Sequence, residues 1–206
     1  MGWLLNAFNH YYKIGDRIRV GDVFGDVYKI DYLTTTIWEI GSPFQPGIVN
    51  AEQPTGRLVT FPNNEILAGS VVNITGDFPY VWDELVISIT NESDIKYAMR
   101  VLEEASTNLI GNYMKEPVLQ YVNILQKEGL PADLPDAPKV YISPVESWID
   151  VSIRYLVGAR ERRLWKTKLF LHINEVLEQE ENKKSIFPFY PRHQIQIITD
   201  KGKPMN

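Results

Sequence analysis

The sequence predicts an α+β fold of two units, a small bent β-domain over residues 14–78 followed by a mixed α/β domain over residues 79–191. Three observations predict it. Between Gly15 and Trp38, short β-branched runs alternate with polar residues and turn at Gly-Asp pairs. Apolar residues at helical spacing appear only later, in one stripe from Ile95 and another from Leu164. Strand-like runs flank these stripes in the order β-α-β-β-α-β, which is the ferredoxin-like arrangement.

In the first unit, Ile18 and Val20 alternate with Arg17 and Arg19, as in a strand with one buried face. Gly21-Asp22 turns the chain. In the next strand Val23, Gly25, Val27 and Lys29 are expected on one face, with Phe24, Asp26, Tyr28 and Ile30 on the other. Gly25 inside a strand implies a bend or a close backbone approach. Thr34-Thr35-Thr36-Ile37-Trp38 begins a third strand. Three short strands with glycine corners imply a small barrel or half-barrel. Residues 41–56 hold Pro43, Pro46, Gly47 and Pro54 and read as a long loop. A strand resumes over 57–61, and Pro62-Asn63-Asn64 makes a turn. Residues 67–74 read as a strand, or as a short helix plus a strand. Gly76-Asp77-Phe78-Pro79 ends the unit.

The second unit opens with a strand over 82–90, where Leu85, Ile87 and Ile89 share one face. Ser93 is the expected helix N-cap, with Asp94 at the positive helix end. The helix carries Ile95, Ala98, Leu102, Ala105 and Leu109 on its apolar side and is expected to stop at Pro117. A short extra helix over 121–128 and a rigid connector over 129–138, with Pro131, Pro135 and Pro138, come next. Strands follow over 139–143 and 148–157, the second with Val151, Ile153 and Tyr155 on one face, and Gly158 ends the pair. A long helix over 164–181 presents Trp165, Leu169, Ile173, Val176 and Leu177. A last strand of the unit is expected over 186–189. Beyond Pro191, Ile195 and Ile197 alternate with Gln194 and Gln196, so 194–198 reads as a separate strand.

Composition narrows the function. The net charge of -5 argues against nucleic acid as a partner, which calls for a basic face. The absence of cysteine excludes disulfides, thiolate metal sites and cysteine nucleophiles. No stretch reaches the ~18 apolar residues of a spanning helix, and the run from Trp3 to Phe8 is too short. His10, His172 and His193 lie far apart without metal-ligand spacing, and a packed or hydrogen-bonded role suits His172. The segment from Gly21 to Asp26 lacks the end of a phosphate loop, and Asp16, Asp22 and Asp26 lack the spacing of a calcium loop. No catalytic, cofactor or metal residues are assigned, and the chain is read as a non-enzyme.

Arg160-Glu161-Arg162-Arg163 reads first as a solvated charge run and, in a transport setting, as a set of ion-path charges at Arg160, Arg162 and Arg163. Cations at a helix start oppose the macrodipole, as do Glu178, Glu180 and Glu181 at a helix end. Neither mismatch has a local physical account unless neighbouring chains supply compensating charge. Trp3, Trp38 and Trp82 are candidates for interface anchors, with a core role open for Trp38 and Trp82.

Gly15-Asp16-Arg17-Ile18, Gly21-Asp22-Val23, Gly25-Asp26-Val27, Thr35-Thr36 and Val59-Thr60-Phe61-Pro62-Asn63-Asn64-Glu65-Ile66, with Asn73 following, resemble in order the β-domain of the small-conductance mechanosensitive channel (MscS) family. Weaker similarity extends along nearly the whole chain, with 41–56 and 129–138 longer than the family pattern. The resemblance implies an Sm-like β-domain whose backbone is set by Gly15, Asp16, Gly21, Asp22, Gly25, Thr35, Thr36, Pro62 and Asn63. It implies a homo-oligomeric, heptameric ring at the cytoplasmic face of the cell membrane. Residues 1–13 would be the tail of a pore helix, or simply the start of the chain, and membrane contact would be made by transmembrane helices outside it. Gln194, Ile195, Gln196, Ile197 and Ile198 would join their copies in a parallel β-barrel. Ions and small osmolytes released on hypo-osmotic shock would be the cargo, with no cofactor and no nucleic acid. Two other classes stand beside this reading. One is a soluble ring scaffold of the Sm-like RNA-binding kind, which the acidic charge opposes. The other is a ferredoxin-like regulatory domain binding a small ligand.

Overall fold

The computed structural model describes residues 11–41 and 52–189. Five strands form the first sheet: β1 (Arg17–Val20), β2 (Val23–Ile30), β3 (Thr34–Ile40), β4 (Pro54–Pro62) and β5 (Val71–Asn73). Their order is β4-β3-β2-β1-β5, antiparallel throughout. The short helix α1 (Glu65–Ala68) precedes β5, so the expected helix-plus-strand alternative holds. Ile18, Val20, Val27, Ile37 and Phe61 point to one face and pack with Tyr12 and Ile66 into a closed core.

Two local readings change here. The β2–β3 register shifts between Val27 and Lys29, which leaves Tyr28 as an extra residue. An inserted residue reverses the alternation beyond it. Ile30, not Lys29, therefore packs against the core, while Lys29 is exposed and paired with Asp31. Strand β4 also begins earlier than expected, because Pro54 pairs with Ile40. Proline is tolerated as the first residue of a strand, where its missing N–H costs no ladder bond.

The second sheet comprises β6 (Tyr80–Thr90), β7 (Lys139–Pro144) and β8 (Trp148–Gly158) in the order β6-β8-β7, again antiparallel. Helices α2 (Ile95–Lys127), α3 (Arg162–Leu177) and α4 (Glu180–Lys183) complete the unit. Leu85, Ile87 and Ile89 from β6 meet Val151, Ile153 and Tyr155 from β8 under Leu102, Ile110, Met114, Leu169 and Ile173 of the helices. Residues 187–189 do not form a full strand. They meet the free edge of β6 through one bridge, Ile89 to Pro188, flanked by Thr90 N–H to Phe187 C=O at 2.9 Å and Phe189 N–H to Ser88 C=O at 2.8 Å.

Helix α2 is capped by Asp94, whose Oδ1 accepts the Tyr97 N–H at 3.0 Å. The Ser93 hydroxyl is engaged elsewhere, accepting the Phe187 N–H at 3.0 Å. The helix does not stop at Pro117 but continues through it to Lys127, which absorbs the separate helix expected over 121–128. Proline removes one helical hydrogen bond, yet Pro117 and Val118 are both buried, and their packing outweighs the local preference. Helix α3 begins at Arg162 and ends at Leu177, earlier than expected. Glu180 and Glu181 thus fall in the first turn of α4, where the helix dipole favours carboxylates. Glu178 pairs with Lys183 at 2.8 Å and raises its pKa. These two observations remove the apparent charge mismatch at the helix end.

The expectations for residues 1–10, 42–51 and 190–206 lie outside the described residues, including Trp3, His10, His193 and the strand from Gln194 to Ile198.

Candidate functional site

The glycine, aspartate and threonine residues singled out in the β-domain are spread through the sheet rather than gathered in one pocket. Gly15 has φ +92, a conformation that suits glycine, and its N–H reaches the Val27 carbonyl at 2.8 Å. Asp16 is buried. Its Oδ2 accepts the Lys13 N–H at 3.0 Å and the Asn73 Nδ2 donor at 2.8 Å, tying the start of β1 to β5. Gly21 and Asp22 form the exposed β1–β2 turn. Gly25 lies against β3: a Cβ there would stand 2.1 Å from the Trp38 carbonyl oxygen.

Thr35 is fully buried and donates its hydroxyl proton to Asn63 Oδ1 at 2.7 Å. Its oxygen must therefore accept from the Tyr12 hydroxyl, 3.0 Å away. Burial raises the Tyr12 pKa, an effect the Thr35 hydrogen bond partly offsets. Asn63 Nδ2 donates to the Asp31 carbonyl at 2.8 Å, so this chain of bonds holds the β2–β3 turn to the end of β4. Thr36 pairs instead with Thr60 at 2.9 Å on the exposed face, and Pro62 closes β4 opposite Thr34.

The charged residues converge elsewhere, at the seam between the two sheets. The turn joining β8 to α3, residues 158–162, lies against the outer face of β1 and β2. Arg17, nearly buried, makes a bidentate pair with Asp26 through Nε and Nη2, both at 3.0 Å. Its Nη1 donates across the seam to the Ala159 carbonyl at 3.5 Å. In the reverse direction, Arg160 Nη2 donates to the Gly15 carbonyl at 2.5 Å and to Asp26 Oδ1 at 3.2 Å. Arg162 holds Asp83 in its own unit at 2.9 Å and Glu52 in the other.

Arg160 and Arg162 are thus paired with carboxylates of the same chain, which accounts for their charge without a neighbouring chain. The Arg163 side chain is exposed and has no ion pair among the described residues. Burial alone would lower the Arg162 pKa, but the hydrogen bond and charge of Asp83, with the charge of Glu52, raise it above the ordinary value.

The seam has a second layer of support. Asp83 is buried, and its Oδ2 accepts the hydroxyl of fully buried Tyr155 at 3.2 Å. Burial and the Asp83 charge both push the Tyr155 pKa up. The Tyr113 hydroxyl donates to Glu161 Oε2 at 2.7 Å and accepts the Gly158 N–H at 3.1 Å, which fixes both ends of the turn. Burial, then the Glu161 hydrogen bond, pushes the Tyr113 pKa up to about 12. Tyr121, on the part of α2 beyond Pro117, stacks on Phe78 in the connection between the sheets, with ring centroids 4.5 Å apart.

Sequence reasoning named Arg160 and Arg162 but missed their partners Asp26, Glu52 and Asp83. One of these left a signal, since Asp83 shares the parity of Leu85, Ile87 and Ile89 and so places a carboxylate on the apolar face of β6.

The outer face of the first sheet also carries an exposed apolar stripe. Trp38 stands opposite Leu58, and Tyr28 meets Trp38 edge-on at 5.7 Å. Trp38 is 41% exposed and is not a core residue, whereas Trp82 is partly buried under Arg154, whose guanidinium lies 5.0 Å from its ring. His172, on α3, is partly buried. Among the described residues no cluster of histidine, cysteine or carboxylate side chains is arranged to hold a metal ion. Among them, too, no helix is long and apolar enough to cross a membrane.

Residues 1–41 match the family model described as the β-domain of mechanosensitive ion channels. Beyond that segment, the chain is similar over about half its length to MscS family proteins. It is 33% identical over 102 residues to an MscS family protein of Synechocystis, covering 50% of this chain and 29% of that protein. An MscS family protein of Buchnera aphidicola is 27% identical over 96 residues, covering 47% of this chain and 29% of its own length. The fold is similar to the closed-state crystal structure of Helicobacter pylori MscS, with a TM-score of 0.66 and 16% identity over 97% of this chain and 64% of that one. It is also similar to the cryo-EM structure of Arabidopsis thaliana MSL1, with a TM-score of 0.57 and 17% identity over 92% and 57% of the two chains. The chain therefore spans less than a third of these two relatives and less than two thirds of these two solved chains.

Proposed function

We propose that this chain is the cytosolic vestibule of a mechanosensitive ion channel, supporting a pore formed by transmembrane helices of a longer polypeptide. The observation that carries the reading is the fold likeness over 97% of the chain, joined to the β-domain match at its start. Residues 14–78 act as an Sm-like β-domain and 79–191 as a ferredoxin-like domain. Pairing of residues 187–189 with the open edge of β6 supports the second assignment, since it gives the order expected of that arrangement. The vestibule is a homo-oligomeric ring, heptameric in this reading, that filters ions and small osmolytes at the cytoplasmic face of the membrane. It has no catalytic task.

Two features support self-association. The stripe of Tyr28, Trp38 and Leu58 is exposed in the single chain, and aromatic residues are favoured interface anchors. The outer edges of β4, β5 and β7 carry no partner strand among the described residues, and unpaired edges favour association. Gln194 to Ile198 supply the strand that closes a parallel barrel with its copies. The residues from Gly15 to Asn63 named above are the structural frame of the β-domain. Of the three arginines, Arg163 is the one left to act as an ion-path charge.

The test is a patch recording from membranes in which the longer polypeptide is shown to be inserted. Pressure-evoked conductance is the expected result. Silence up to the lytic tension of the patch contradicts the proposal.

A further inference from the structure

We propose that the turn over residues 158–162 is an ionic-strength-sensitive coupling that makes the two units move as one body. The inference stands on the seam alone and holds whether or not the chain serves a channel. Units joined by a modest, polar contact move relative to one another by default, so their coupling needs a physical cause. Here the cause is a reciprocal set of charged bonds. Arg17 of the first unit reaches the Ala159 carbonyl of the second. Arg160 and Arg162 of the second reach Gly15, Asp26 and Glu52 of the first. The turn that carries them is itself held by Tyr113, through Gly158 and Glu161, and by the Ala159 N–H on the Pro79 carbonyl at 2.9 Å. A pull on either unit therefore reaches the other through a short, well-braced segment.

The two kinds of charge pair at the seam differ in access to solvent. The Arg17–Asp26 pair lies within the first unit, with the arginine side chain only 6% exposed. The crossing pairs are more open: Arg160 is 49% exposed, and Arg162 and Glu52 are 34% and 23% exposed. Salt screens open pairs far more than buried ones, and the Debye length shrinks to about 3 Å at about 1 M. High ionic strength thus loosens the open ion pairs that cross the seam, Arg160–Asp26 and Arg162–Glu52, while leaving each unit folded.

The chain has no cysteine, so two spin labels can be placed without competing sites. Asp22→Cys in the β1–β2 turn and Glu175→Cys on α3 are exposed positions, one in each unit. Pulsed electron–electron distance measurement on the full chain reads the coupling. At low salt a single narrow distance peak is expected, and at about 1 M salt its loss to a broad distribution. Arg160→Gln with Glu52→Gln removes the crossing charge pairs but leaves Arg17–Asp26 and Arg162–Asp83 in place, so each unit keeps its own fold. This double variant is expected to be broad at both salt levels, with an unchanged far-ultraviolet spectrum, while Arg163→Gln behaves as wild type. A narrow peak that persists in the double variant, or in wild type at high salt, overturns the proposal.

Discussion

Gly25→Val is expected to unfold the β-domain or to leave it with only residual stability. The Cβ of any side chain at this position would meet the Trp38 carbonyl oxygen at 2.1 Å and the Ile37 Cδ1 at 2.9 Å. The carbonyl belongs to β3, so relief would require β2 and β3 to separate along the register from Gly25 to Ile30. That motion would break strand pairing at the centre of a five-stranded sheet. A loss of roughly 4 kcal/mol or more follows, in the range reserved for severe core disruption. Gly158→Ala is the comparison. Its Cβ would meet only the Glu161 and Tyr113 side chains, at 3.1 and 3.3 Å, and these can shift. Thermal unfolding followed by circular dichroism separates the two. Equal melting temperatures for wild type and Gly25→Val would show that the close approach is not binding on the fold.

Asp83→Ala is expected to have the next largest effect, a loss of about 3 kcal/mol, the lower end for breaking a buried pair because Arg162 keeps some access to water. The substitution leaves the Arg162 guanidinium with Glu52 alone and the buried Tyr155 hydroxyl without its acceptor. Tyr155 is wholly buried, so no water replaces the lost bond without entering the core. Chemical denaturation of the full chain measures the loss. Asp83→Asn is the informative companion, because its amide oxygen still accepts a hydrogen bond while the charge is gone. It should recover part of the stability. An Asp83→Ala protein as stable as wild type would mean that the carboxylate supports neither Arg162 nor Tyr155.

Much of the sheet structure was legible from local pattern. Ile18 and Val20 alternate as they pack, and Gly25 marked a close approach because only glycine lacks the atom that would collide. The misread positions share a cause, in that the deciding partner is distant in sequence. Pro117 reads as a helix stop until its burial within the helix is known. Ile30 reads as outward until the extra residue at Tyr28 reverses the strand. Arg160 reads as a free charge because its acceptors, Gly15 and Asp26, lie 145 and 134 residues away. Asp83 alone carried a local warning, a carboxylate in phase with three apolar residues, and such a group in a strand's buried face needs a charged partner.

The proposed vestibule requires that this chain work as one subunit of a closed ring. The direct measurement is the mass of the intact assembly, by native mass spectrometry or light scattering, on the longer polypeptide extracted in mild detergent. One dominant species is expected at a fixed multiple of the protomer mass, seven in the heptameric reading. A polypeptide that remains strictly monomeric at high protein concentration would contradict it.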